Sequence, residues 1–152
     1  MTSWSEKLAE LGIELPGVAA PLAAYVPAVR TGSLVYTSGQ LPFVDGVLAA
    51  TGKVGADVSP EEAKRHARTS GLNALAAVHA LVGIDSVVRI VKVVGFVASA
   101  EGFTGQPAVV NGASELFGEV FGDAGVHARS AVGVAELPLG APVEVELIVE
   151  VG

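Results

Sequence analysis

The residue whose type and setting best suit chemistry is Arg129, near the start of an apolar segment, 127–137, that predicts a β-strand. Its guanidinium is a fixed cation with a planar fork of N–H groups that matches a carboxylate. An unpaired charge on an apolar strand is costly, so Arg129 needs a partner. That partner is either a nearby glutamate, in a structural ion pair, or the carboxylate of a small ligand, and the sequence leaves both open.

Other polar residues could share a site with Arg129, although each also has a structural role open to it. Tyr25 could be a half-buried strand aromatic with its hydroxyl in water, and Asn111 a solvent-facing helix residue. The Ser38 hydroxyl, beside Gly39, could bond to nearby backbone in a turn. Glu144 could lie on the polar face of the last strand with two other glutamates. Periodicity does not decide between these roles.

Several other kinds of chemistry lack their motifs. The chain has no cysteine, which excludes disulfides, thiolate nucleophiles and cysteine-based metal sites. The three histidines, His66, His79 and His127, have no metal-site spacing, so we expect no metal. Neither a Gly-x-Ser-x-Gly elbow nor a phosphate-binding glycine loop is present. We expect a site without metal or cofactor.

Charge and hydropathy exclude further classes of function. The formal net charge is −7, and the nine Lys and Arg residues are scattered, so we expect no nucleic-acid partner. No apolar run approaches about 18 residues, so we expect no membrane span. The first residues lack the basic and apolar regions of a signal peptide, which favours a cytoplasmic location.

Secondary-structure propensities, together with proline, glycine and helix-capping residues, predict the order of helices and strands. Two local signals are the clearest. Pro27 places the first strand at a sheet edge or bulge. Ser59, Pro60 and Glu62 form a helix start with a capping box. The predicted elements are a short helix at 4–11, a hairpin within 25–42, a turn at 45–46, a helix ending at Gly83, a strand at 86–98, a helix from Pro107 to about Gly122, and a closing hairpin.

This order predicts an α+β fold in which two helices pack on one face of a mixed sheet. The other face of the sheet is then bare. Hydrophobic residues make up 51% of the chain, more than a small monomer comfortably buries. We therefore expect self-association to cover the bare face.

Three blocks, in this order, resemble the YjgF/RidA family of enamine/imine deaminases, also labelled the endoribonuclease L-PSP family. The blocks are YVPAV at 25–29 with YTSGQLP at 36–42, then VVN at 109–111, then ARS at 128–130 with Leu137-Pro138 and VEVE at 143–146. The resemblance covers about residues 25–151. An extra segment at 1–20 and a longer loop at 101–107 are similar to a longer subgroup. We expect one domain over 1–152, with 1–20 as an N-terminal extension that holds the short helix.

The resemblance implies a chorismate-mutase-like fold, assembled as a homotrimer with clefts between subunits. It implies that Arg129 binds the carboxylate of a 2-imino or 2-enamino acid, assisted by backbone at Gly39. Glu144 would orient a water, and Tyr25 would close the cleft from a neighbouring subunit. Ser38 and Asn111 match positions at or near the site. The partners implied are thus a small carboxylate-bearing substrate and further copies of the chain.

Other functions remain open at this point. A non-catalytic, regulatory trimer that senses a small carboxylate would need Arg129 equally. A ribonuclease is disfavoured by the acidic charge and by the absence of a histidine acid–base pair. A chaperone that uses a hydrophobic surface would not depend on Arg129.

Overall fold

The part of the chain that the structure describes consists of a five-stranded sheet, a separate two-stranded sheet and three α-helices. The structure, a computed structural model, describes residues 2–18 and 24–152. Its helices are α1 (Trp4–Glu10), α2 (Pro60–Val82) and α3 (Gln106–Phe121); its strands are β1 (Ala28–Thr31), β2 (Leu34–Thr37), β3 (Phe43–Val44), β4 (Val47–Leu48), β5 (Val87–Ala98), β6 (Ala128–Val134) and β7 (Val143–Val151). Five strands form one sheet in the order β1-β2-β7-β5-β6, and β3 pairs with β4 separately.

The predicted closing hairpin is wrong, because β5 lies between β6 and β7. Helix α3 acts as a crossover from β5 to β6, and such connections produce parallel neighbours. Strand β7 then takes the other edge of β5, antiparallel to it, and also pairs with β2. The sheet is therefore mixed, as predicted. The connection from β6 to β7 passes the end of β5, which lies between them.

Most other predicted elements are present with small changes at their ends. Strand β1 begins at Ala28, directly after Pro27, and is an edge strand, as the proline indicates. Helix α2 begins after Ser59, whose hydroxyl accepts the Glu62 N–H at 3.1 Å. It ends at Gly83, which has a φ of 81° that favours glycine. The reciprocal half of the predicted capping box is not formed, and the Glu62 carboxylate instead lies 3.5 Å from His66 Nε2, one turn along the helix.

Helices α2 and α3 pack against each other and against one face of the sheet, with α2 over β7 and α3 over β5 and β6. Two glycines permit this approach. A Cβ at Gly95 of β5 would overlap the Val110 side chain, and a Cβ at Gly112 of α3 would overlap the Lys64 carbonyl oxygen of α2. The close packing brings α3 directly beside edge strand β6.

The opposite face of the sheet is not covered by other parts of the described chain. Along β7 the residues from Val143 to Val151 alternate between buried and partly exposed, and the glutamates take the partly exposed positions. Val29, Tyr36 and Val132 are between 43% and 54% exposed. Register places all three on the same face as these glutamates. This face is the bare face that the element order predicts, and from here on we call it the open face.

The short helix α1 is present at the predicted place and is held to the end of the molecule where β5 begins. Its N-cap, Ser3, forms a capping box with Glu6. The Trp4 indole donates to the Val87 carbonyl at 2.7 Å. The backbone N–H and the hydroxyl of Ser5 donate to the Asp85 carboxylate, and these bonds hold its pKa below the usual range. Residues 1, 19 and 20 of the predicted extension lie outside the described residues. Within those that are described, no helix has the length and apolarity needed to cross a bilayer.

Candidate functional site

Arg129 lies on β6, at the edge of the sheet beside α3. In the parallel register it is level with Val93 of β5, which is fully buried under the helices. Neighbouring residues at one register position point to one face of a sheet, so the Arg129 side chain lies on the helix-bearing face. Its hydrogen bonds to α3 agree with this placement.

Three neutral oxygen atoms hold the Arg129 guanidinium. Its Nη1 donates to Asn111 Oδ1 at 2.7 Å and to Ser114 Oγ at 3.2 Å. Its Nη2 donates to the Pro107 carbonyl oxygen at 3.3 Å. Among residues 2–18 and 24–152, these bonds leave the Nε–H and one Nη2–H of Arg129 without a protein acceptor.

No carboxylate of the described residues forms an ion pair with Arg129. In the described ranges, ion pairs between a lysine or arginine and a carboxylate join Lys53 to Glu136, Lys64 to Glu115 and Arg68 to Glu119. The structural ion pair, one of the two roles that the sequence leaves open, is therefore not formed within this part of the chain. A cation held only by neutral groups retains its full charge for an external anion.

Asn111 is partly buried and bonded to Arg129, so the alternative of a solvent-facing helix residue is wrong. Two further residues belong to this cluster: Ser114, for which the sequence predicts no role, and His127, which the sequence excludes only as a metal ligand. The signal is visible in retrospect: Asn111 and Ser114 are three apart on a helix, hence neighbours on one face. His127 directly precedes β6 and is two residues from Arg129, a spacing that places side chains on one side of an extended segment.

Glu144 lies in a second group, around the junction of β2 and β7. Its register partner on β5 is Phe96, and it points to the open face. A Cβ added at Gly39 would come within 2.5 Å of Glu144 Oε2, so the absence of a side chain at 39 leaves space for this carboxylate. Burial, and secondarily the nearby charge of Glu146, raises the pKa of Glu144 above the usual range. Its place on the polar face of the last strand is confirmed.

Ser38 directly precedes Gly39 and is bonded to the segment that follows Tyr25. The Ser38 hydroxyl donates to the Val26 carbonyl at 2.6 Å, and its N–H donates to the Pro27 carbonyl at 2.8 Å. Its hydroxyl is thus bonded to backbone, the alternative that the sequence offers for it. Tyr25 precedes β1 and is 44% exposed.

The six predicted site residues therefore form two groups, which one chain does not bring together. Arg129 and Asn111 lie on the helix-bearing face, whereas Glu144 lies on the open face. Strand β5 separates β6 from β7. For Arg129 and Glu144 to act on one ligand, they must come from different copies of the chain. Elsewhere in the described ranges, no three acidic or histidine side chains converge as metal ligands.

The raised pKa of Glu144 leads to a prediction about stability. Because burial makes the ionised form less favourable, the carboxyl contributes to stability below its ordinary pKa, and this contribution is lost as the pH rises through the raised pKa. Glu144→Gln should therefore raise the melting temperature at pH 7.5, and the gain should shrink as the pH falls toward 4.5. Glu150→Gln, on the same face of β7, controls for net charge. An equal gain at both pH values would contradict the prediction.

Comparison with known proteins identifies the family. A family model described as "YjgF/chorismate_mutase-like, putative endoribonuclease" matches residues 5–151. Protein TCP17 of Trypanosoma cruzi is 46% identical over 145 residues, 94% of this chain and 91% of that protein. The 2-iminobutanoate/2-iminopropanoate deaminase of Salmonella typhimurium is 40% identical over 129 residues, 85% of this chain and 88% of that protein.

Solved structures agree with these sequence matches. The protein Atu1372 of Agrobacterium tumefaciens, described as having unknown function, superposes with a TM-score of 0.89 at 45% identity, covering 99% of this chain and 94% of that one. Escherichia coli TdcF with bound serine superposes with a TM-score of 0.66 at 26% identity, covering 89% of this chain and 94% of that one. These matches confirm the predicted chorismate-mutase-like α+β fold, and the chain belongs to the YjgF/RidA family.

Proposed function

We propose that this protein hydrolyses reactive 2-imino and 2-enamino acids to 2-keto acids and ammonia. The observation that carries the proposal is the Arg129 guanidinium, which is bonded to three neutral oxygens and to no carboxylate of the described residues. Two of its N–H groups remain for a ligand. A carboxylate is the group that fits a planar, uncompensated cation, so the substrate class is a small carboxylic acid.

The relatives support the same substrate class. The Salmonella protein is named for deamination of 2-iminobutanoate and 2-iminopropanoate, both of which carry a carboxylate next to the imine carbon. The TdcF structure contains serine, again a small carboxylic acid. Both observations are compatible with a carboxylate bound by the arginine of this chain.

The reaction needs little from the protein. Water adds to the electrophilic imine carbon, the C–N bond of the resulting carbinolamine breaks, and ammonia leaves as the C=O bond forms. An enamine first takes a proton on carbon to become the imine. Arg129 would fix the substrate through its carboxylate. Glu144, as the ionised form, would accept a proton from the attacking water, and its raised pKa makes it a stronger base than an ordinary glutamate.

The site is proposed to lie between subunits of a homotrimer. Arg129 and Glu144 of one chain lie on opposite faces of the sheet, so each would complete a cleft with a residue of a neighbouring copy. The exposed apolar residues of the open face give that neighbour a surface to cover. Backbone at Gly39, with Ser38 and Tyr25 nearby, would line the side of the cleft that holds Glu144.

The experiment that tests this function measures 2-keto acid release from freshly generated 2-aminoacrylate and from longer and branched imino acids. We expect the wild-type protein to accelerate release above the rate in buffer. An absence of acceleration with every substrate would contradict the deaminase. If the protein then still bound 2-ketobutanoate, a non-catalytic trimer that senses a small carboxylate would be the better account.

A further inference from the structure

We infer that Ser114 and His127 are positioning residues that fix the orientation of the Arg129 guanidinium. Neither residue needs to touch the substrate for this role. The inference rests on the proposed function for its kinetic consequence, but its structural part concerns Arg129 in the protein without ligand.

A continuous chain of hydrogen bonds leads from the backbone to the guanidinium. His127 Nδ1 lies 2.6 Å from the Gly125 carbonyl oxygen. His127 Nε2 lies 2.8 Å from Ser114 Oγ, and Ser114 Oγ lies 3.2 Å from Arg129 Nη1. Each member therefore contacts the next, and the chain ends on a peptide group.

The Gly125 carbonyl determines the direction of the first bond, and with a neutral His127 ring the other directions follow. A carbonyl oxygen only accepts, so His127 Nδ1 carries the hydrogen and donates to Gly125. In the neutral ring Nε2 is then an acceptor, and the Ser114 hydroxyl donates to it. The lone pairs of Ser114 Oγ are consequently turned toward Arg129, which donates. In this arrangement the serine donates to His127 and accepts from Arg129 at the same time.

The far end of the chain is rigid. The His127 ring lies edge-on to Phe117, with centroids 6.0 Å apart. Gly125 is buried, and a Cβ there would overlap the Phe117 carbonyl oxygen of α3. The Gly125 carbonyl is therefore fixed by packing on the helix, and it holds the ring that holds the serine.

The consequence for Arg129 is a choice of which N–H groups face the ligand. Asn111 and Ser114 together occupy both hydrogens of Nη1, which leaves donors on Nε and Nη2. Without the serine hydroxyl, one Nη1 hydrogen has no acceptor, and only the bonds to Asn111 and Pro107 restrain the guanidinium. An ordered guanidinium loses less conformational entropy when it binds a carboxylate. Ser114 and His127 should therefore lower KM more than they raise kcat.

The test combines NMR relaxation of arginine Nε–H groups with steady-state kinetics on 2-iminobutanoate, using Ser114→Ala, Ser114→Thr and His127→Phe. Arg129→Lys identifies the Arg129 signal by its disappearance. In the wild type the Arg129 Nε–H should be rigid. In Ser114→Ala and His127→Phe it should be measurably more mobile than in the wild type, with KM raised about tenfold and kcat changed far less. Ser114→Thr keeps the hydroxyl and should restore both readouts.

The double variant should be no worse than either single variant, because the two residues act as one unit. Equal rigidity of Arg129 in wild type and Ser114→Ala would overturn the inference, whatever the kinetics show. Additive effects of the two changes would also overturn it. If the wild type turns over no imine, the proposed function fails, and the relaxation data alone still decide whether Ser114 and His127 position Arg129.

Discussion

Replacing Arg129 with alanine is expected to lower kcat/KM for 2-iminobutanoate by about 100-fold to 10,000-fold, because a charge-assisted hydrogen bond contributes about 1.5–3 kcal/mol and two donors are lost. The residues around Arg129 cannot replace its positive charge, because Asn111, Ser114 and Pro107 contribute neutral oxygens there. Arg129→Lys should recover only part of the activity, because an ammonium lacks the planar fork.

The matched control is Arg65→Ala, which removes an exposed arginine from α2. It changes the net charge equally and should leave kcat/KM within about twofold. Arg129→Ala also loses three hydrogen bonds within the chain, so its melting temperature is measured alongside and the kinetics are compared at equal folded protein. Undiminished turnover by Arg129→Ala would place the chemistry elsewhere.

The second large effect concerns stability rather than chemistry. Gly112→Ala should destabilise the protein by about 1–3 kcal/mol or more, the range for overpacked positions, because its Cβ would overlap the Lys64 backbone carbonyl across the contact between α2 and α3. The helices would have to separate. Asn111, the next residue, would move with α3 away from Arg129, so substrate binding should weaken as well.

Gly118→Ala is the control on the same helix. Gly118 is exposed, and no atom lies within 4 Å of the position that its Cβ would take. Alanine there should stabilise the protein by about 0.5–1 kcal/mol. Chemical denaturation of the two variants and the wild type measures both effects. Equal stability of Gly112→Ala and Gly118→Ala would show that the helix contact tolerates a methyl group.

Local signals were sufficient for most elements and insufficient for their pairing. Ser59, Pro60 and Gly83 determine the ends of α2 because each acts through its own backbone geometry or hydrogen bond. Pro138 and Gly140 likewise predict a turn before β7. A turn does not state which strand lies beside β7, however, and the apolar strand β5 took that place because it can pair on both edges.

For the candidate site, too, the sequence predicts single residues but not which residues lie together. Arg129 could be found from the sequence because a lone cation on an apolar strand is conspicuous. Its dependence on Ser114 and His127 could not, since that requires α3 to lie beside β6. The separation of Arg129 and Glu144 onto opposite faces likewise follows from the register of three strands, which no local pattern contains.

A crystal structure of the protein with 2-ketobutanoate, the product of 2-iminobutanoate hydrolysis, would show whether Arg129 binds the substrate carboxylate. We expect the ligand carboxylate to accept hydrogen bonds from Nε and Nη2 of Arg129, with Glu144 of a neighbouring subunit lining the same cleft. A structure in which a carboxylate from another subunit neutralises Arg129, or in which the ligand binds away from it, would contradict the account.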